Sequence, residues 1–121
     1  MRRRQVHEVS IALGMIEELL RIAGENNAKK ITKVKLKIGK MSGIVNDSLM
    51  FAFDAVKLEH PLLSSAELSI EEVPLVYKCT GCGNTFQFED VAFPACSKCG
   101  SYGLKIISGE EQHIENVEVE V

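Results

Sequence analysis

Four cysteines carry the clearest chemistry in this chain. Cys79 and Cys82 form a CxxC pair in "CTGCG", Cys96 and Cys99 form another in "CSKCG", and thirteen residues separate the pairs. Four thiolates at this spacing can close a tetrahedral set around one ion, the environment that structural Zn²⁺ prefers. A four-cysteine iron site uses the same ligands, and spacing alone does not separate the two metals. Thioredoxin-like redox chemistry needs one CxxC in a βαβ setting, which this pair of knuckles does not offer. Gly83 and Gly100 follow the second cysteine of each pair, where a positive φ would let backbone N–H groups approach sulfur. "NTFQFED" is expected to form a short hairpin between the knuckles, completing a zinc ribbon. A closed site of this kind leaves no open position for catalysis. The metal would contribute on the order of 10 kcal/mol to folding a loop with almost no apolar core.

The other pair of interest is His7-Glu8, placed directly before an apolar helical pattern. It is not a zincin helix, because Ile11 stands where the second histidine is needed. Taken alone, a single histidine reads as a solvated or capping residue. His60, at a helix end, and His113, before the last strand, read as ordinary surface.

At 121 residues the chain has the length of one compact domain with a small appended module. A net charge of −3 and a pI near 5.6 argue against a nucleic-acid binder, whose footprint is a basic patch. No apolar run approaches the ~20 residues of a membrane span. The arginines at positions 2–4 are not followed by the apolar stretch of a secretory signal. Cysteines at metal spacing, without such a signal, fit a cytoplasmic protein.

The elements that must position these residues follow from periodicity. From Ser10 to Ala23, Ile11, Ala12, Met15, Ile16, Leu19, Leu20 and Ala23 recur at helical spacing, with Gly24 and Asn26-Asn27 as stop signals. "KKITKVKLKI" alternates as a half-buried strand, with Val34, Leu36 and Ile38 on one face and Lys33, Lys35 and Lys37 on the other. Asn46 or Asp47 is expected to cap a second helix running to about Glu59, with Leu49, Met50, Phe53 and Val56 inward, and Pro61 ending it. "AELSI" and "NVEVEV" alternate again, with Ala66, Leu68, Ile70 and Val117, Val119, Val121 inward and glutamates outward. Opposite charges across a seam are favourable, so the lysine strand is expected in the middle of the sheet. The fold expected is α+β, with two helices packed on a small mixed three-stranded sheet. The zinc ribbon, residues 77–107, is inserted into an α+β domain of residues 6–76 and 108–121.

The run "HEVSIA", the helix–strand–helix–strand order, the double CxxC and the acidic last strand together resemble the HypA/HybF family of hydrogenase nickel-incorporation proteins. The resemblance covers residues 6–121. It implies a metallochaperone rather than an enzyme. Such a protein binds Ni(II) near its N-terminus and delivers it to the large-subunit precursor of a [NiFe]-hydrogenase, assisted by a HypB-type GTPase. It also implies that His7 anchors nickel, with Glu8 as a secondary ligand or docking determinant, while zinc stays structural on the four cysteines. Neither nucleic acid nor membrane is an expected partner, and a homodimer is compatible with the pattern. The alternative reading is a zinc-ribbon scaffold or adaptor that binds a protein or nucleic acid and never touches nickel.

Family members begin Met-His-Glu, where the terminal amine, the next amide nitrogen and the imidazole can close planar chelate rings that suit Ni(II) over tetrahedral Zn²⁺. Here residues 1–5 precede Val6, so the amine is out of place. The expectation is a misread start: Val6 can be encoded by GTG, and two arginines by AGG AGG, a bacterial ribosome-binding sequence. Residues 1–5 are then an extension absent from the native protein.

Overall fold

The computed structural model describes residues 3–87 and 94–121, with residues 3–7 described as backbone only. Its elements run α1 (Arg3–Glu25), β1 (Lys30–Gly39), α2 (Asn46–Lys57), β2 (Glu67–Val73), β3 (Val76–Cys79), β4 (Thr85–Gln87), β5 (Leu104–Ser108) and β6 (Gln112–Glu120). They form two three-stranded sheets, ordered β2-β1-β6 and β4-β3-β5.

Helix α1 begins well before Ser10. The segment from Arg3 to Val9 holds neither proline nor glycine and includes good helix formers, so nothing stops the helix there. Ala12, Met15, Ile16, Leu19 and Ala23 are buried along one stripe. The helix closes with Asn27 in the left-handed region at φ 52°. Ala28 N–H reaches Ala23 C=O at 2.9 Å and Asn27 N–H reaches Gly24 C=O at 3.4 Å, a Schellman closure.

Strand β1 lies between its two neighbours, as the charge pattern leads one to expect. It runs parallel to β2, with Lys33 opposite Glu67 and Lys37 opposite Glu71. It runs antiparallel to β6, with Lys30 opposite Glu120 and Lys33 opposite Glu118. The best-formed ion pair across these seams is diagonal, Lys35 Nζ to Glu71 Oε1 at 3.1 Å. Such exposed pairs select strand order more than they stabilise the fold. A register shift between Ile31 and Lys33 lets Ile31 and Val34 both point inward, which simple alternation does not predict.

The core lies between this sheet and the two helices, and includes Ile16, Leu19, Ile31, Val34, Leu49 and Phe53. Helix α1 contacts β1 and α2 contacts β2. Among the described residues no such helix cover reaches the end of β6. There Val119 is 36 % exposed and Val121 74 %, against the expected inward row, although Ile114 and Val117 still pack on the core.

Helix α2 corrects the expected cap. Its N-cap is Val45, not Asn46 or Asp47, and no side chain of its own supplies a capping bond. Leu49, Ala52 and Phe53 are buried, Met50 and Val56 pack part-buried against the core, and the helix ends at Lys57, with single-turn bonds from Glu59 and His60 leading into Pro61. The second sheet leaves the first through Pro74-Leu75 and returns through Gly109–Glu111. Backbone bonds pin both crossings to the end of β1: Gly39 N–H to Glu111 C=O, Lys40 N–H to Val73 C=O and Met41 N–H to Gly109 C=O. Of the hairpin expected from "NTFQFED", the described residues show one arm. Thr85–Gln87 pairs back with β3 across the first knuckle, and Phe88–Asp90 lie outside the described residues.

Candidate metal centres

The two knuckles are near-copies of each other. Cys79 N–H bonds to Asn84 C=O and Cys96 N–H to Ser101 C=O, each at 2.8 Å. Gly83 N–H bonds to Cys79 C=O and Gly100 N–H to Cys96 C=O, each at 2.9 Å. The glycines do turn at positive φ, 81° and 75°. The turns aim Cys82 N–H at Cys79 Sγ and Cys99 N–H at Cys96 Sγ, each at 3.5 Å. Asn84 Nδ2 adds a longer contact to Cys96 Sγ at 3.8 Å.

These bonds bring all four expected sulfurs within 4.8 Å of one another. Cys79 to Cys99 and Cys82 to Cys96 are both 3.6 Å apart. A tetrahedron with Zn–S bonds of ~2.3 Å has edges of ~3.8 Å, so the sulfur cage fits a zinc ion. Cys79 and Cys96 are buried while Cys82 and Cys99 face outward. The Cys82 backbone N–H holds the Cys79 thiol below its ordinary range. The Cys99 backbone N–H does the same for Cys96, lowering it to about 6. At Cys99 the Ser101 N–H also acts to lower the value, but the neighbouring sulfurs of Cys79 and Cys96 outweigh it and push the thiol up to about 11. A cation at the centre of these sulfurs would favour their thiolate forms. Behind them, Tyr77 and Phe86 pack at a centroid distance of 5.9 Å and form a small apolar floor.

His7 lies in the backbone of α1, and its side chain lies outside the described residues. Glu8 is 1 % exposed, the one charged residue in the core among the described residues. Its Oε2 accepts a hydrogen bond from Val45 N–H at 2.6 Å. A carboxylate on α1 thus serves the N-terminus of α2, the job a capping-box glutamate does within one helix. Its Oε1 is buried with no partner among the described residues, and so is Asn46 Oδ1 one residue beyond Val45. Sequence reasoning missed Val45 as the partner of Glu8, since 37 residues separate the two and only the α1–α2 packing joins them. His60 is half-buried after α2, and His113 is exposed within β6, 3.5 Å from Glu115. Neither histidine joins a metal-ligand cluster among the described residues.

The family model for hydrogenase/urease nickel incorporation, metallochaperone, hypA, matches residues 6–119. The chain belongs to the HypA family. It is 38 % identical to the hydrogenase maturation factor HypA of Geobacter metallireducens, over 95 % of this chain and all of that one. The same protein of Caldanaerobacter subterraneus is also 38 % identical, with the same coverage. The solution structure of the nickel metallochaperone HypA from Helicobacter pylori superposes with a TM-score of 0.67 at 26 % identity, covering 93 % of this chain and 97 % of that one. A second HypA solution structure gives 0.73 at 26 % identity, covering 94 % and 96 %. HypA proteins are maturation factors that handle nickel and are not enzymes. The HypA family binds Zn²⁺ structurally through the four-cysteine cluster and handles nickel. No helix among the described residues is long and apolar enough to cross a membrane.

Proposed function

We propose that this chain binds one Ni(II) at the N-terminal end of α1 through His7, with Glu8 and backbone nitrogen assisting. It passes the ion to the large-subunit precursor of a [NiFe]-hydrogenase in the cytoplasm, together with a HypB-type GTPase. The zinc ribbon, residues 77–107, is a separate domain that presents a second surface. Residues 6–76 and 108–121 form the nickel-binding domain.

The observation that carries this reading is the state of Glu8. Its Oε1 is buried without a donor among the described residues, a state that costs roughly 1–3 kcal/mol when nothing compensates it. A cation held by the adjacent residue would compensate it. The two metals then separate by ligand type: sulfur holds zinc, nitrogen and oxygen hold nickel.

Chelation by backbone nitrogen has a local consequence. In the 121-residue chain α1 starts at Arg3, so the His7 N–H falls beyond the first helical turn and has an acceptor inside the helix. Using that nitrogen for nickel unwinds the turn. A chain that begins at position 6 with methionine places it among the free N–H groups and adds the terminal amine. Nickel titration of both chains tests this, with tighter binding expected for the shorter one. His7→Ala should abolish tight binding in both and stop hydrogenase maturation in cells. Unchanged affinity in His7→Ala would overturn the proposal.

A further inference from the structure

Strand β6 has one strand neighbour among the described residues, β1, so its other edge is open. Lys29 N–H bonds to Glu120 C=O at 2.6 Å, which turns the backbone groups of Glu118 and Glu120 towards β1. Those of Val117 and Val119 therefore face the open edge. The side chains alternate as well. Glu118 lies opposite Lys33 and Glu120 opposite Lys30 on the solvent face, while Val117 and Val119 share the helix-side face with Val34 and Ile31. Glu118 and Glu120 are exposed and form no ion pair among the described residues. Val119 is exposed on its own face, although that face is apolar. The opposite edge of the sheet differs, because α2 packs on β2 and Leu68 there is buried.

We propose that this edge takes up an extended segment of a protein partner, in which lysine or arginine alternates with apolar residues. The segment adds a strand to the sheet, bonded to the main chain of Val117 and Val119. Its basic side chains stand beside Glu118 and Glu120, as Lys33 and Lys30 do from the other side. Its apolar side chains lie against Val117 and Val119. Charges on an edge strand also deter pairing between like chains, and they do so here. In the regular stretch from Asn116 to Val121, consider an antiparallel second copy that keeps its valines on one face over most of that length. It sets Glu118 opposite Glu118 or opposite Glu120. A basic strand meets the same glutamates favourably. An edge built only to deter pairing would carry no bare valine beside its glutamates. Strand addition at β6 goes beyond the nickel reading and needs no ion at His7.

The test uses the full zinc-loaded chain and two synthetic peptides, identical in their valines but alternating them with lysine in one and glutamate in the other. Amide hydrogen exchange reads the edge directly. In the free chain Val117 and Val119 should exchange faster than Glu118 and Glu120, whose N–H groups already face β1. Saturating lysine peptide should slow Val117 and Val119 about tenfold or more, and the glutamate peptide should not. Val119→Pro removes an edge donor without removing a bond to β1, and should weaken binding about fivefold or more. Glu118→Lys leaves the backbone donors in place and should weaken binding of the lysine peptide roughly two- to fivefold, with the difference shrinking in high salt. Equal binding of both peptides, no binding of either, or binding without protection of Val117 and Val119 would each overturn the proposal. So would protection of these amides that rises with the concentration of the chain alone, because the occupant is then a second copy.

Discussion

At the scale of single residues, the thiols and Glu8 make the sharpest predictions. Cys99, pushed up to about 11 by its sulfur neighbours, keeps its proton at neutral pH, whereas Cys96 at about 6 is largely thiolate. Zinc binds thiolate, so uptake must expel protons from the cluster. Titrating zinc into metal-free protein in weak buffer at pH 7 should acidify the solution, and affinity should fall as pH drops towards and below about 6. Uptake without proton release would contradict this. Glu8 separates structure from cargo. Glu8→Ala removes the acceptor for Val45 N–H and should cost about 1–3 kcal/mol in urea unfolding. Glu8→Gln keeps an acceptor for Val45 N–H, so stability should change by less than about 1 kcal/mol. Nickel affinity should fall in both. The cysteine site was legible because ligand spacing is local in the chain. The neighbours of Glu8 were not, because their proximity arises only when α1 meets α2.

At the scale of elements, periodicity located every segment of the first sheet and both helices, and cross-strand charge ranked the strand order. The misses share a cause. Asn46 and Asp47 are good capping types by local preference, but Glu8 arrives from α1 and serves Val45 instead. Alternation along β6 predicts an inward row to Val121, but only packing against a helix makes a face inward, and α1 and α2 lie over β1 and β2. The β1 bulge likewise belongs to the pairing with β6 and not to β1 alone. Gly39 shows how tightly the end of β1 is held. A Cβ there would overlap the Gly109 carbonyl that links the second sheet to the first. Gly39→Ala should therefore destabilise the protein by about 1–3 kcal/mol in urea unfolding. An unchanged midpoint would mean that this crossing yields easily.

At the scale of the whole molecule, the two sheets have different sources of stability. The first has a continuous apolar core, and the second has a small floor and a metal cage. A strong chelator should therefore melt β3, β4 and β5 while helices and first sheet persist, seen as amide exchange protection lost in residues 77–107 alone. Acid acts elsewhere. Glu111, held by the Gly109 backbone N–H, and Glu71, held by Lys35, both have lowered values in the folded state. Their contribution is present above the unfolded-state value near 4.5 and is lost as pH falls through the lower folded values, so stability should decline below about pH 4.5.

The proposed division of labour between His7 and the four cysteines is tested most directly by X-ray absorption at the nickel and zinc edges of protein carrying one equivalent of each metal. Zinc should show four sulfur neighbours at ~2.3 Å. Nickel should show only nitrogen and oxygen neighbours, with imidazole scattering that disappears in His7→Ala. Sulfur scattering at the nickel edge, unchanged in His7→Ala, would contradict the account.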